Sequence, residues 1–136
     1  MVNKKEKFLI VSLAFLLAVL ADRISKIAVQ GSSLPYIKNT GAAFGLLKGF
    51  APFLIVASFA AIAVLIYFYG RLPEKKILYF SFGLVLAGIV GNLTDRIFLG
   101  GVVDFIDLRF WPAFNIADLS ASIGIGIIAV YLVLSK

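Results

Sequence analysis

The chain has no cysteine and no histidine among its 136 residues, and only one methionine and one tryptophan. Without thiols there is no disulfide framework, thiolate nucleophile or thiolate metal site, and without imidazole no Ser/His or Cys/His pair can be assembled. Charge is scarce as well: 15% of residues are Asp, Glu, Lys or Arg against 62% apolar, and mean hydropathy is +1.05. A soluble domain of this length has no interior large enough to hide that share. The chemistry left to the chain is that of carboxylates, amines, guanidiniums, amides and hydroxyls.

The apolar residues gather into four runs suited to a hydrocarbon core about 30 Å thick, which takes roughly 20 helical residues. The first goes from Phe8 to about Ala21 behind Lys4, Lys5 and Lys7, and continues as an amphipathic stretch to Val29 before Gly31-Ser32-Ser33 breaks it. A cleaved leader peptide is the alternative for this run, given its basic start and the small residues Ala18 and Ala21. Asp22, Ser25 and Lys26 continue the helical pattern beyond Ala21 and favour a span. The second run covers Phe50 to Tyr69 and ends in the polar hinge Gly70 to Lys76, the third covers Ile77 to Phe98, and the fourth begins near Phe114, after Trp111-Pro112, and reaches Leu134. The expected fold is an all-α integral membrane protein of four transmembrane helices. Residues 1–136 form one domain, and a small extended or β element lies somewhere in Val102 to Phe110, where Val, Phe and Ile partly alternate.

The net charge of +6 is explained by basic residues flanking the spans, beside anionic lipid, rather than by nucleic-acid binding. With four spans, Lys4, Lys5, Lys7, Arg71, Lys75, Lys76 and Lys136 fall on one side, which the positive-inside rule makes cytoplasmic, with both termini. Of seven acidic residues only Glu6 and Glu74 belong there. Asp22, Asp95, Asp104, Asp107 and Asp118 map to the opposite, outer end.

An ionisable residue at mid-membrane costs about 2.5 to 3.5 kcal/mol on insertion scales, so such residues face the bundle and have partners. Asp22 and Lys26, four apart on the first helix, suit an ion pair, a structural role. Gly88, Asn92 and Arg96 recur every four residues on the third, so that small residues admit a neighbouring helix while Asn92 and Arg96 share one groove. Arg96 then has lipid headgroups or Asp95 as partners. Asn115 and Asp118 share a face of the fourth helix, with Asp118 about 6 Å along the axis from Phe114. Alone, Asp118 is as well explained by capping a helix or pairing with Arg96 or Arg109. Brought against Asp104, it becomes one of two carboxylates that cannot both ionise easily and so share a proton, a state able to hydrolyse a peptide bond. On the residues alone, a peptidase, a small ion or proton carrier and a noncatalytic lipid-binding scaffold all stand.

Five stretches, in order, add a resemblance: Asp22-Arg23-Ile24-Ser25-Lys26, Asn39 to Gly45, Gly91 to Arg96, Gly101 to Phe105, and Pro112 to Asp118. Together they resemble the motifs of lipoprotein signal peptidase, the type II signal peptidase, over nearly the whole chain. The resemblance implies a membrane-embedded aspartic endopeptidase that removes the signal peptide from diacylglyceryl-modified prolipoproteins, cutting before the lipidated cysteine. It further implies Asp104 and Asp118 as the catalytic aspartates, Asn39, Gly88, Asn92, Arg96 and Asn115 as substrate-binding residues, and Asp22 and Lys26 as structural support. No metal or cofactor is expected. The partners expected are prolipoproteins and membrane lipids, the state a monomer, and the location the bacterial cytoplasmic membrane with the site near its outer face. Two departures are visible: Arg23 stands where the family has glutamine, and the loop before Asn39 is short.

Overall fold

The computed structural model describes residues 2–41 and 49–135. Among these residues four helices are long and apolar enough to cross a membrane: α1 (Lys4–Gln30), α2 (Ala51–Tyr69), α3 (Lys76–Leu99) and α4 (Ile116–Leu134). Two short strands, β1 (Ile37–Asn39) and β2 (Val102–Asp104), lie between them.

Local chemistry sets each boundary. The Asn3 side chain accepts from the Glu6 amide while Glu6 accepts from the Asn3 amide, a reciprocal cap that starts α1 ahead of its apolar run. That helix then continues without interruption through Ala21 and buries Asp22 and Lys26 inside the bundle, as a span does. Pro52 sits in the first turn of α2, and Gly70 caps its end. Gly100, at φ 71°, takes the left-handed conformation that ends α3 and turns the chain into β2. A side chain on Gly101 would press on the Asn39 carbonyl, so β2 can lie directly against β1. The antiparallel register is Ile37 with Asp104, Lys38 with Val103 and Asn39 with Val102.

The extended element is shorter than the alternation of Val102 to Phe110 suggests. After Asp104 the chain bends, with Arg109 at φ 67° and its amide donating to the Asp107 carboxylate. It then returns beside itself: the Phe105 and Ile106 amides donate to the Phe114 carbonyl, and the Phe114 amide to that of Ile106. This closed loop brings the end of β2 next to the start of α4. Helix α4 starts at Ile116, two residues later than the Phe114 boundary read from the sequence, because Asn115 is its N-cap. Asp118 therefore lies in the first turn, at the mouth of the span rather than within it.

The interior belongs to α3, which packs on α1 and α4 and contributes eleven buried residues. In a bilayer, burial of apolar surface does not draw helices together, so close backbone contact must do more of the work. The glycines supply it. A Cβ on Gly83 would meet the Val11 carbonyl at 2.7 Å, one on Gly124 the Ser81 carbonyl at 2.7 Å, and one on Gly88 would fall on the Ala117 carbonyl and the Ala121 methyl. Helix α2, in contrast, buries none of its residues and touches mainly α3.

Candidate active site

At the end of the bundle that carries the strands, four elements converge on two carboxylates. Asp104 closes β2 and is only 3% exposed, and Asp118 opens α4. Asn115 joins them. Its Nδ2 donates to Asp104 Oδ1 at 2.7 Å, its Oδ1 accepts the Asp118 amide at 2.9 Å, and its own amide donates to Asp118 Oδ2 at 3.2 Å. The capping box that begins α4 is thus also the frame of the carboxylate pair.

Two further amides complete the shell. Asn92 Nδ2 donates to Asp118 Oδ1 at 2.7 Å, and Asn39 Nδ2 to Asp104 Oδ2 at 3.1 Å. The Asn92 orientation is fixed from behind, since its Oδ1 accepts from Asn115 Nδ2 at 3.1 Å and from Lys26 Nζ at 3.4 Å. Burial pushes the Asp104 carboxyl up to about 6; the hydrogen bond from Asn39 opposes the rise and the neighbouring Asp118 charge adds to it. A carboxyl titrating there is poised for acid–base work near neutral pH.

The pair opens into a cavity of about 740 Å³, lined among others by Asn39, Thr40, Asn92, Arg96, Trp111 and Ser122. Asn39, Asn92 and Arg96 thus face the space beside the carboxylates. Asn115, fully buried, does not line it and spends its amide on Asp104 and Asn92. Gly88 lies lower, at the α3–α4 seam, and borders a smaller cavity of about 280 Å³ together with Asn92 and Arg96. Arg96 donates to the Gly41 carbonyl at 3.4 Å. Gly45 and the rest of the 42–48 stretch lie outside the described residues. No cluster of three His, Cys, Asp or Glu side chains suited to a metal ion occurs among the described residues.

Asp22 and Lys26 do pair, at 2.9 Å, but in a larger group than the i,i+4 spacing indicated. Lys26 also contacts Asp95 at 2.7 Å, and Arg23 contacts both Asp22 at 2.8 Å and Asp95 at 2.6 Å. Asp95, read from the sequence as a partner for Arg96, faces α1 instead, because adjacent helical residues point about 100° apart. The signal was present in the spacing: Gly91 and Asp95, four apart, mark the α1-facing side of α3, as Gly88, Asn92 and Arg96 mark the side toward α4.

Fold and site together define a polytopic helical membrane protein with an acid–amide centre at one end of its bundle. The family model for signal peptidase II matches residues 13–134. The lipoprotein signal peptidase of Syntrophomonas wolfei is 41% identical over 135 residues, covering 89% of this chain and 90% of that protein, and that of Halothermothrix orenii is 36% identical, covering 90% and 94%. A bacterial membrane enzyme structure obtained by the in meso method at 2.3 Å superposes with a TM-score of 0.81 at 30% identity, covering 90% of this chain and 87% of the other. The chain belongs to the signal peptidase II family, and with it to the aspartic membrane peptidases of bacteria.

Proposed function

We propose that the whole chain acts as a single peptidase domain that removes signal peptides from diacylglyceryl-modified prolipoproteins, with Asp104 and Asp118 as the catalytic pair. The observation that carries this reading is the pair itself, held by Asn115 at the edge of a cavity that runs down beside α4 to Ser122 and Ile125. A substrate whose cleavage site sits where a membrane helix meets a lipid anchor needs a centre at that depth.

In the mechanism, water lies between the carboxylates and the scissile carbonyl. One carboxylate takes a proton from the water as it attacks, and its protonated partner donates to the carbonyl oxygen. Collapse of the tetrahedral intermediate, with a proton passed to the amide nitrogen, releases the signal peptide. The proton belongs to the pair as a unit. Asn39, Asn92 and Arg96 border the cavity and supply donors for substrate carbonyls, and the Arg96 Nε has no hydrogen-bond partner among the described residues. Gly88 lets α4 pack close to α3 and borders the smaller cavity beside Asn92 and Arg96, and Asn115 serves the substrate indirectly, by aligning the acids. No metal or cofactor enters any step, and one chain holds the full set of residues, in keeping with a monomer.

The orientation follows from charge. Lys4, Lys5, Lys7, Arg71, Lys75 and Lys76 gather at the end opposite the acids, and the positive-inside rule supports reading that end as cytoplasmic and the site as lying at the outer face. Because the chain has no cysteine, single cysteines introduced at Lys75 and at Phe110 can be labelled in whole cells with an impermeant maleimide. Labelling only at 110 is expected, and labelling only at 75 would reverse the topology. For the activity, purified protein is incubated with a lipidated prolipoprotein and with its unlipidated precursor. Release of a signal peptide whose mass ends just before the lipidated cysteine, from the first substrate only, is the expected result; no cleavage of either would reject the reading.

A further inference from the structure

A hydroxyl within a membrane span commonly returns to a carbonyl three or four residues back on its own helix, because hydrocarbon offers it no other partner. Five side chains here do so, at 2.7 to 2.9 Å: Ser25 to Asp22, Ser58 to Leu54, Ser81 to Ile77, Thr94 to Val90 and Ser120 to Ile116. Ser122 does not. It is exposed on α4 and makes no hydrogen bond among the described residues. Ser12 on α1 is also without one but borders neither cavity, whereas Ser122 lines the larger one, into which the acids open.

Position 122 comes one helical turn after Asp118, so the two share a side of α4 and stand about 6 Å apart along its axis. The turn leads away from the strands, and Ile125, the next α4 residue of the cavity wall, is apolar. On the facing wall α3 contributes Arg96 and Asn92. One turn below Asn92 that row reaches Gly88, where α4 lies against α3 at Ala117 and Ala121. Ser122 lies beyond this contact and is the deepest polar group of the cavity wall among the described residues.

A signal segment that rises through the bilayer as a helix ends, near its cleavage site, in four carbonyls without intrahelical partners. Within the span little water replaces those partners, and each carbonyl left bare costs free energy. Asn39, Asn92 and Arg96 offer donors near the level of the acids. Ser122 offers one a turn further in. We propose that Ser122 is a substrate-binding residue whose hydroxyl donates to a main-chain carbonyl of the signal segment. The 6 Å step from Asp118 corresponds to about two residues of extended chain or four of helix, which puts the accepting carbonyl about two to four residues before the scissile bond. A contact to the main chain sets how far the segment rises toward the acids without reading a side chain.

This role rests on the peptidase reading, and cleavage of an ordinary lipidated precursor by wild type separates the two. Further precursors carry a single backbone ester in place of an amide, moved in turn through the segment before the cleavage site, which weakens one carbonyl at a time as an acceptor while leaving the scissile amide intact. Each is cleaved by wild type and by Ser122→Ala, Ser122→Thr and Ser122→Val, the last two being close in volume and differing in the hydroxyl. Thermal midpoints check folding, which an alanine on an exposed helix face should not impair. On the ordinary precursor, Ser122→Ala and Ser122→Val lower kcat/KM about three- to tenfold, the range of one neutral hydrogen bond, and Ser122→Thr recovers most of that loss. At one ester position wild type loses activity and Ser122→Ala loses little more than on the ordinary precursor, a non-additivity that a purely structural role would not produce. Unchanged Ser122→Ala, threonine and valine variants of equal activity, or additive losses at every ester position overturn the role of Ser122 and leave the peptidase reading standing. Wild type that cleaves no lipidated precursor rejects that reading and this role with it.

Discussion

The two ends of the bundle use the same ion-pair chemistry in opposite surroundings. At the basic end Lys7 reaches Glu74 at 2.9 Å and Lys76 reaches Glu6 at 3.3 Å, all four side chains being between 22% and 66% exposed. At the other end Lys26, Asp22 and Asp95 meet at similar distances with almost no exposure. Water and salt screen the first set, so its pairs fasten the α1 start to the α2–α3 hinge only loosely. In the second set each charge depends on its partners, because removing one would leave a buried charge uncompensated. Contact distance alone does not distinguish anchors from machinery; burial and the next hydrogen bond outward do.

The comparison can be broken hardest at the acid pair. Asp118→Asn is expected to lower the cleavage rate on the order of 10³-fold, in the range general acid–base catalysis supplies, in a protein of unchanged elution profile. Next comes the buried charge group of Asp22, Arg23, Lys26 and Asp95: Asp95→Asn leaves a surplus cation there and is expected to cost about 3 to 5 kcal/mol, read as a large drop in the thermal midpoint in detergent. A smaller effect follows from pH. Because Asp104 titrates at about 6 rather than 3.8, the folded state holds a proton that the unfolded chain has released, so this group loses stability as pH rises from about 4 to above 6. With solvent screening the loss is about 1 to 3 kcal/mol, and the midpoint of wild type relative to Asp104→Asn should fall across that window. Least affected is the basic end. Glu74 is held below the usual carboxylate range by Lys7, and that stabilisation is present at neutral pH and lost in acid. Lys7→Ala should leave the thermal midpoint within error and cleavage within twofold; a collapse of either would erase the contrast between the ends.

Much of this arrangement was legible in the sequence. The four spans announce themselves through run length, and the segregation of Glu6 and Glu74 from the other acids reflects the axis of the bundle. Spacing put Asn92 and Arg96 in one groove and Asn115 on the face of Asp118. The four-charge group between α1 and α3 was not legible. An i,i+4 rule sees only one helix, so it found Asp22 with Lys26, whereas Asp95 joins through the packing of α1 on α3 that Gly91 permits. Periodicity also placed the α4 boundary too early, because Phe114 continues the apolar pattern while its amide and carbonyl are taken by Ile106 and Phe105 across the loop. The burial of Asn115 came from the same cause: the loop closes over the helix start, where the Asn115 amide lies between Asp104 and Asn92.

The central claim, that the Asp104–Asp118 pair performs the chemistry, is tested most directly by single-turnover cleavage of a lipidated prolipoprotein by Asp104→Asn, with binding measured in the same sample. The account predicts a variant that binds the substrate about as tightly as wild type and leaves it uncut. Cleavage at the wild-type rate by folded Asp104→Asn would contradict it.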